Sequence, residues 1–142
     1  MELGTFGAVL KFAMDLEEQA VSFYEAAQAS LVNSKTREQF TSLMERSQKR
    51  LKTLERVRRE NTTEMILEPI GGLDQETYTP DTDTSSGLDE KALLSMAISL
   101  EKKLQNFYTD ASVKVEFLIE AAYALEAMAE DSEEAVEELS SI

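Results

Sequence analysis

Leu16-Glu17, followed by Phe23-Tyr24, returns as Leu100-Glu101, followed by Phe107-Tyr108. The spacing is identical and the offset is 84 positions (101 − 17 = 84). Ala13 and Ala97 extend the match upstream. In each copy the apolar residues step by three or four positions, so they share one helix face. Each copy also sets one glutamate beside that apolar stripe. A chain of this kind is constrained to be two versions of one helical unit.

The helices follow from the stripes. Val9, Ala13, Leu16, Ala20, Phe23, Ala27 and Leu31 predict a first helix over about 6–31. Ser34 is the expected N-cap of a second helix over about 35–60. Its stripe is Phe40, Leu43, Met44, Ser47, Arg50, Leu51, Leu54 and Val57, of which Ser47 and Arg50 are polar. The other face of that helix is strongly basic, carrying Lys35, Arg37, Arg46, Lys49, Lys52, Arg56, Arg58 and Arg59. A third helix over about 88–111 carries Leu93, Ala97, Leu100, Leu104, Phe107 and Ala111, with a start expected at Ser86-Gly87-Leu88-Asp89. A fourth, over about 116–140, carries Leu118, Ala121, Leu125, Met128, Ser132, Ala135, Val136 and Leu139. From Phe117 onward the chain has eight acidic side chains and no basic one. Those acids form a solvated face, or pair with the basic face of the second helix within one chain or across a dimer.

Residues 61–87 hold both prolines, Pro69 and Pro80, and the Gly71-Gly72 pair. They read as a crossover, partly pinned by Met65-Ile66-Leu67 and Ile70. A helix of about 25 residues is roughly 38 Å long, and a connection of this length reaches about 90 Å when extended. The crossover can therefore return the chain to its starting end. An 85-position shift aligns the second helix with the fourth, matching Ser47 to Ser132 and Arg50 to Ala135. The expected fold is all-α: one domain over 1–142, a four-helix up-down bundle of two pseudo-symmetric hairpins joined by the crossover.

Composition removes several chemistries. The chain has no cysteine and no histidine, which excludes disulfides, thiolate chemistry and imidazole ligands or bases. Its formal charge is 14 − 28 = −14. That charge argues against a nucleic-acid backbone or an anionic membrane surface as partner. No apolar run approaches a membrane span of about 20 residues, and Met1-Glu2-Leu3-Gly4 does not open a signal peptide. A cytoplasmic location is the resulting expectation.

With two Leu-Glu-x6-Phe/Tyr copies in two matching hairpins and a long crossover, the chain resembles the ferritin-like superfamily, in particular its rubrerythrin-like branch. The resemblance spans essentially the whole chain. It implies a di-iron or di-manganese site inside the bundle, with a glutamate on the first and third helices and Glu-x-x-His on the second and fourth. The matching positions here are Glu17 and Glu101, flanked by Tyr24 and Tyr108, then Ser47 with Arg50 and Ser132 with Ala135. Six ligands are thereby reduced to two. Glu45 with Gln48 and Glu130 with Glu133 are out of phase with the stripes, so Glu45 and Glu130 are expected to face solvent.

Two facing glutamates repel without a cation, and Arg50 carries a permanent positive charge into a former ligand position. Its guanidinium is expected to bridge Glu17 or Glu101, with Ser47, Ser132 and the two tyrosines completing the hydrogen bonds. The functional expectation is a non-catalytic ferritin-like binding or assembly module, without cofactor or metal and most simply a homodimer. The alternative is a rubrerythrin-type di-metal oxidase or peroxidase with a carboxylate-only site. That site would recruit ligands such as Glu68, Asp74 or Glu76. A third reading is a regulatory or cargo protein docking through its acidic last helix.

Overall fold

The computed structural model describes residues 1–61 and 69–142. Helix α1 (Phe6–Gln28) begins where Thr5 leaves extended backbone, and the Thr5 hydroxyl accepts a hydrogen bond from the Ala8 amide at 3.1 Å. One of the amides orphaned at a helix start is thus satisfied. The helix ends at Gln28, earlier than the stripe predicts, although Leu31 is still buried beyond it. Helix α2 (Ser34–Glu60) is capped by Asn33, and Ser34 is its first helical residue. The Asn33 side chain accepts from the Lys35 and Thr36 amides at 2.9 and 3.3 Å, which displaces Ser34 from the capping role expected of it.

The crossover contains a short helix, α3 (Gln75–Tyr78), that no periodicity signalled. Backbone hydrogen bonds lay it against the N-terminal segment: Leu3 N to Leu73 O (2.8 Å), Ile70 N to Gly4 O (3.0 Å) and Gln75 N to Met1 O (2.9 Å). Ile70 is buried as expected, while Met65-Ile66-Leu67 lie outside the described residues. Farther on, Gln19 donates to the Thr82 hydroxyl at 2.8 Å. Tyr78 stacks edge-on against Phe107 and donates to Asp110 at 2.6 Å. Gly72 has φ +85°, a conformation that calls for glycine, whereas a Cβ there would meet only the movable end of the Lys114 side chain, at 3.1 Å.

Helix α4 (Glu90–Lys114) is capped by Asp89, whose side chain accepts from the Ala92 amide at 2.9 Å. Its start is therefore later than the Ser86 capping box predicts. Gly87, at φ +64°, turns the chain just before it. Helix α4 also continues past Ala111, and α5 (Ile119–Ser140) starts later than residue 116. No side chain caps α5, so its start carries no sequence mark. Among the described residues the only β pairing is an isolated bridge between Glu2 and Asp74. No helix among them is long and apolar enough to cross a membrane.

The core is built from the predicted stripes. Those of α1 and α4 are buried along their whole length; in α2 and α5 only Met44, Leu51, Leu118 and Val136 are half-buried. Helix α1 packs mainly on α2 and α4 mainly on α5, while α1–α4 and α2–α5 contacts join the two pairs. These contacts are compatible with a helical bundle. Phe12 meets Phe107 edge-on at 5.2 Å across the α1–α4 seam, and Phe23 and Tyr24 meet Phe40 across α1–α2.

Candidate functional site: a guanidinium between two buried glutamates

Glu17 shares its helix face with Ala13, Ala20 and Tyr24, and Glu101 shares its own with Ala97, Leu104 and Tyr108. Packing of the hairpins then carries both carboxylates inside, where each is 0% exposed. Arg50 arrives from the stripe of α2 and is 4% exposed.

The guanidinium lies between the carboxylates. Arg50 Nε donates to Glu17 Oε2 at 2.8 Å. Nη2 donates to Ser47 Oγ at 3.0 Å and to Glu101 Oε1 and Oε2 at 3.2 and 3.4 Å. Nη1 donates to Asp131 Oδ2 at 2.6 Å. All three nitrogens are engaged, so the cation bridges both glutamates rather than one. The phenols cross over: Tyr24 donates to Glu101 Oε2 at 2.5 Å, and Tyr108 donates to Glu17 Oε2.

Burial dominates the electrostatics. It pushes the Glu17 carboxyl above its ordinary value; Arg50 offsets part of this and the neighbouring Glu101 charge adds to it. Burial also raises both tyrosines well above their ordinary range, and the facing glutamates raise them further, so both phenols keep their protons. For Arg50 burial works against the charge, but Glu17 and Glu101 outweigh it and hold the guanidinium protonated.

Glu17, Ser47, Arg50, Glu101, Tyr24 and Tyr108 are thus brought together. Ser132 is not joined to them: it is buried, but its hydroxyl has no hydrogen-bond partner among the described residues, contrary to the role expected for it. Ala135 is buried as plain apolar packing. Glu45 and Glu130 are exposed. Asp74 and Glu76 pair with the N-terminal amino group at the surface instead of joining the core, and Glu68 lies outside the described residues.

Asp131 and Arg46 belong to the cluster and were not anticipated. Arg46 Nη2 donates to Asp131 Oδ1 at 2.9 Å and Nη1 to Glu138 at 2.7 Å, so the basic and acidic faces do meet within one chain. Burial raises the Asp131 carboxyl, but hydrogen bonds and charge from Arg46 and Arg50 outweigh it and leave the group below its usual value. Asp131 lies one position off the apolar stripe and reads as part of the solvated acidic face. The signal that finds it is the 85-position shift, which superposes Arg46 on Asp131 (46 + 85 = 131) and so sets opposite charges at equivalent places.

The arrangement holds charge in place. Every nitrogen of its cation is bonded, its phenols are locked as donors, and among the described residues the one polar atom of its glutamates without a partner is Glu17 Oε1. No protein-family model matches the chain, and no curated protein matches it.

Proposed function

We propose that this chain is a four-helix bundle of ferritin-like descent in which an arginine has replaced the metal pair, and that it works as a non-catalytic binding or assembly module. The observation that carries this reading is Arg50, buried between Glu17 and Glu101 with every guanidinium nitrogen bonded. A guanidinium supplies the charge that two facing carboxylates need, but offers no open coordination position. The remaining inherited positions are Ser47, Ser132 and Ala135, which give hydroxyls and a methyl where a dinuclear centre needs carboxylate and imidazole. These residues do not fit such a centre.

The ancestry rests on the repeat and on how the helices meet. Residue 12 lies near 107 and residue 24 near 101, so α1 and α4 are antiparallel. Residue 39 lies near 138 and residue 46 near 131, so α2 and α5 are antiparallel as well. With a long crossover between the hairpins, these directions support a ferritin-like helix order. Homodimerisation belongs to the same reading, and sedimentation at low and high salt measures it.

The di-metal reading retains one observation, Glu17 Oε1, which has no partner among the described residues. Metal analysis of protein purified without chelator separates the two. We expect substoichiometric iron and manganese, and a melting temperature unmoved by iron(II), manganese(II) or EDTA. About two metal ions per chain, with stability that rises with metal concentration, would overturn the proposal.

A further inference from the structure

Helices α2 and α5 run antiparallel and meet where Arg46 faces Asp131. The seam between them has two unlike halves. Toward the end of α5 it is charge-matched: Arg46 reaches Asp131 and Glu138, and Gln39 also bonds Glu138. Toward the start of α5 it is not. There α2 turns Lys49, Thr53 and Arg56 to the seam, spaced as one helix face, and α5 answers with Ala124, Ala127 and Met128. Small residues opposite long cationic ones leave an open cleft of about 340 Å³, also lined by Arg46, Arg50 and Asp131.

The cations of this cleft are unequal. Arg46 and Arg50 are held by carboxylates. The Lys49 ammonium makes no ion pair or side-chain hydrogen bond among the described residues, and it is exposed. Among the described residues Arg56 pairs only with Glu60 of its own helix, at 3.7 Å and half-exposed, a contact of little worth. Past Arg56 the seam carries Glu60 and Glu120 and becomes acidic, which limits the positive stretch at that end. The chain as a whole is strongly anionic, yet its remote acids are screened beyond about 8 Å at physiological salt. Locally, then, one unpaired and one weakly paired cation overhang an apolar floor, and the one carboxylate lining the cleft, Asp131, is engaged by Arg46 and Arg50.

We propose that this half-seam binds a small organic anion, with its oxyanion head held by Lys49 and Arg56 and its apolar body lying on Ala124, Ala127 and Met128. The head is a carboxylate or a phosphate, since both accept from an ammonium and a guanidinium. The cleft is concave and of small-molecule size, which favours such a ligand over a flat protein surface. The inference gives the binding module a ligand class and rests on that reading only in taking the core as closed. Metal content and anion binding are measured separately, so either can fail alone.

The test is calorimetric titration of the full chain with octanoate and with octyl phosphate. Acetate and inorganic phosphate serve as heads without a body, and octyltrimethylammonium as a body with the wrong charge. We expect saturable binding of one or both octyl anions, at least ~10-fold tighter than the bare heads, and none of the octyl cation. Lys49→Ala with Arg56→Ala should weaken binding ~10-fold or more while circular dichroism stays unchanged. Ala127→Glu, which completes the charge match across the seam, should abolish binding without loss of stability. Stronger binding of octanoate or of octyl phosphate identifies the head. The proposal is overturned by absence of saturable binding, by equal binding of the octyl cation, or by indifference to both variants. It is also overturned if the double alanine variant dissociates a dimer, which would make the cleft an interface between copies.

Discussion

Arg50→Met keeps the bulk of the side chain and removes its charge. Wild-type Arg50 donates to Glu17, Glu101, Asp131 and Ser47, and both glutamates are fully buried. Losing one partner of a buried ion cluster costs ~3–5 kcal/mol. A second route gives a similar figure. The stranded cluster can relieve itself by protonating Glu17, whose carboxyl burial already pushes upward. Holding a proton at pH 7 on a carboxyl of ordinary value about 4.3 costs ~3.7 kcal/mol, and at pH 5 only ~1 kcal/mol. In the variant the folded state then binds more protons than the unfolded state. The slope of stability against pH is therefore negative: the contribution is intact below the ordinary carboxylate range and lost as pH rises through the raised folded value. Urea unfolding followed by circular dichroism at pH 7 and pH 5 reads this directly. The gap to wild type should be ~4 kcal/mol at pH 7 and should narrow by ~2–3 kcal/mol at pH 5. Adding Glu17→Gln and Glu101→Gln to Arg50→Met should restore most of the loss, because no charge is then left buried. A gap below ~1 kcal/mol at pH 7, or one that ignores pH, would refute the account of the cluster.

Tyr24→Phe and Tyr108→Phe each remove a donor from a buried glutamate and should cost ~1.5–3 kcal/mol by chemical denaturation, with similar values for the two. Ser47→Ala should cost about 1 kcal/mol, whereas Ser132→Ala, which deletes a buried hydroxyl without a partner among the described residues, should be neutral or stabilising in the same assay. The Asp131 carboxyl lies below its ordinary value, so its stabilisation is present above the unfolded value and lost as pH falls through the lower folded one. Asp131→Asn should flatten the acid limb of a stability–pH profile and cost about 1 kcal/mol near neutrality, given the partial exposure of that side chain.

The four long helices were legible because their buried residues recur at helical spacing, and a periodic signal over twenty or more residues survives errors at single positions. Their ends were less legible. Asn33 and Asp89 won the capping roles from Ser34 and Ser86, since several polar residues stood close enough to compete. Helix α3 is held by partners distant in sequence, such as Phe107 and Asp110 around Tyr78, and no local pattern encodes those. At the core, stripe phase, charge and the positions implied by the resemblance bring Arg50 to one glutamate or the other; that it meets both is added by the packing of the hairpins. Asp131 did not, because a residue at the edge of a stripe faces solvent or partner according to what packs opposite. Ser132 fails the other way: phase places it inside, but phase says nothing about who answers its hydroxyl.

The crossed phenols tie the two matching segments to each other. In sequence, Glu17 travels with Tyr24 and Glu101 with Tyr108. In space the partnerships are exchanged, Glu17 with Tyr108 and Glu101 with Tyr24. Removal of Tyr24 takes a donor from a carboxylate of the opposite hairpin, which keeps only Arg50, and leaves the glutamate of its own hairpin untouched. A change at any one of these four positions is therefore felt first in the other hairpin.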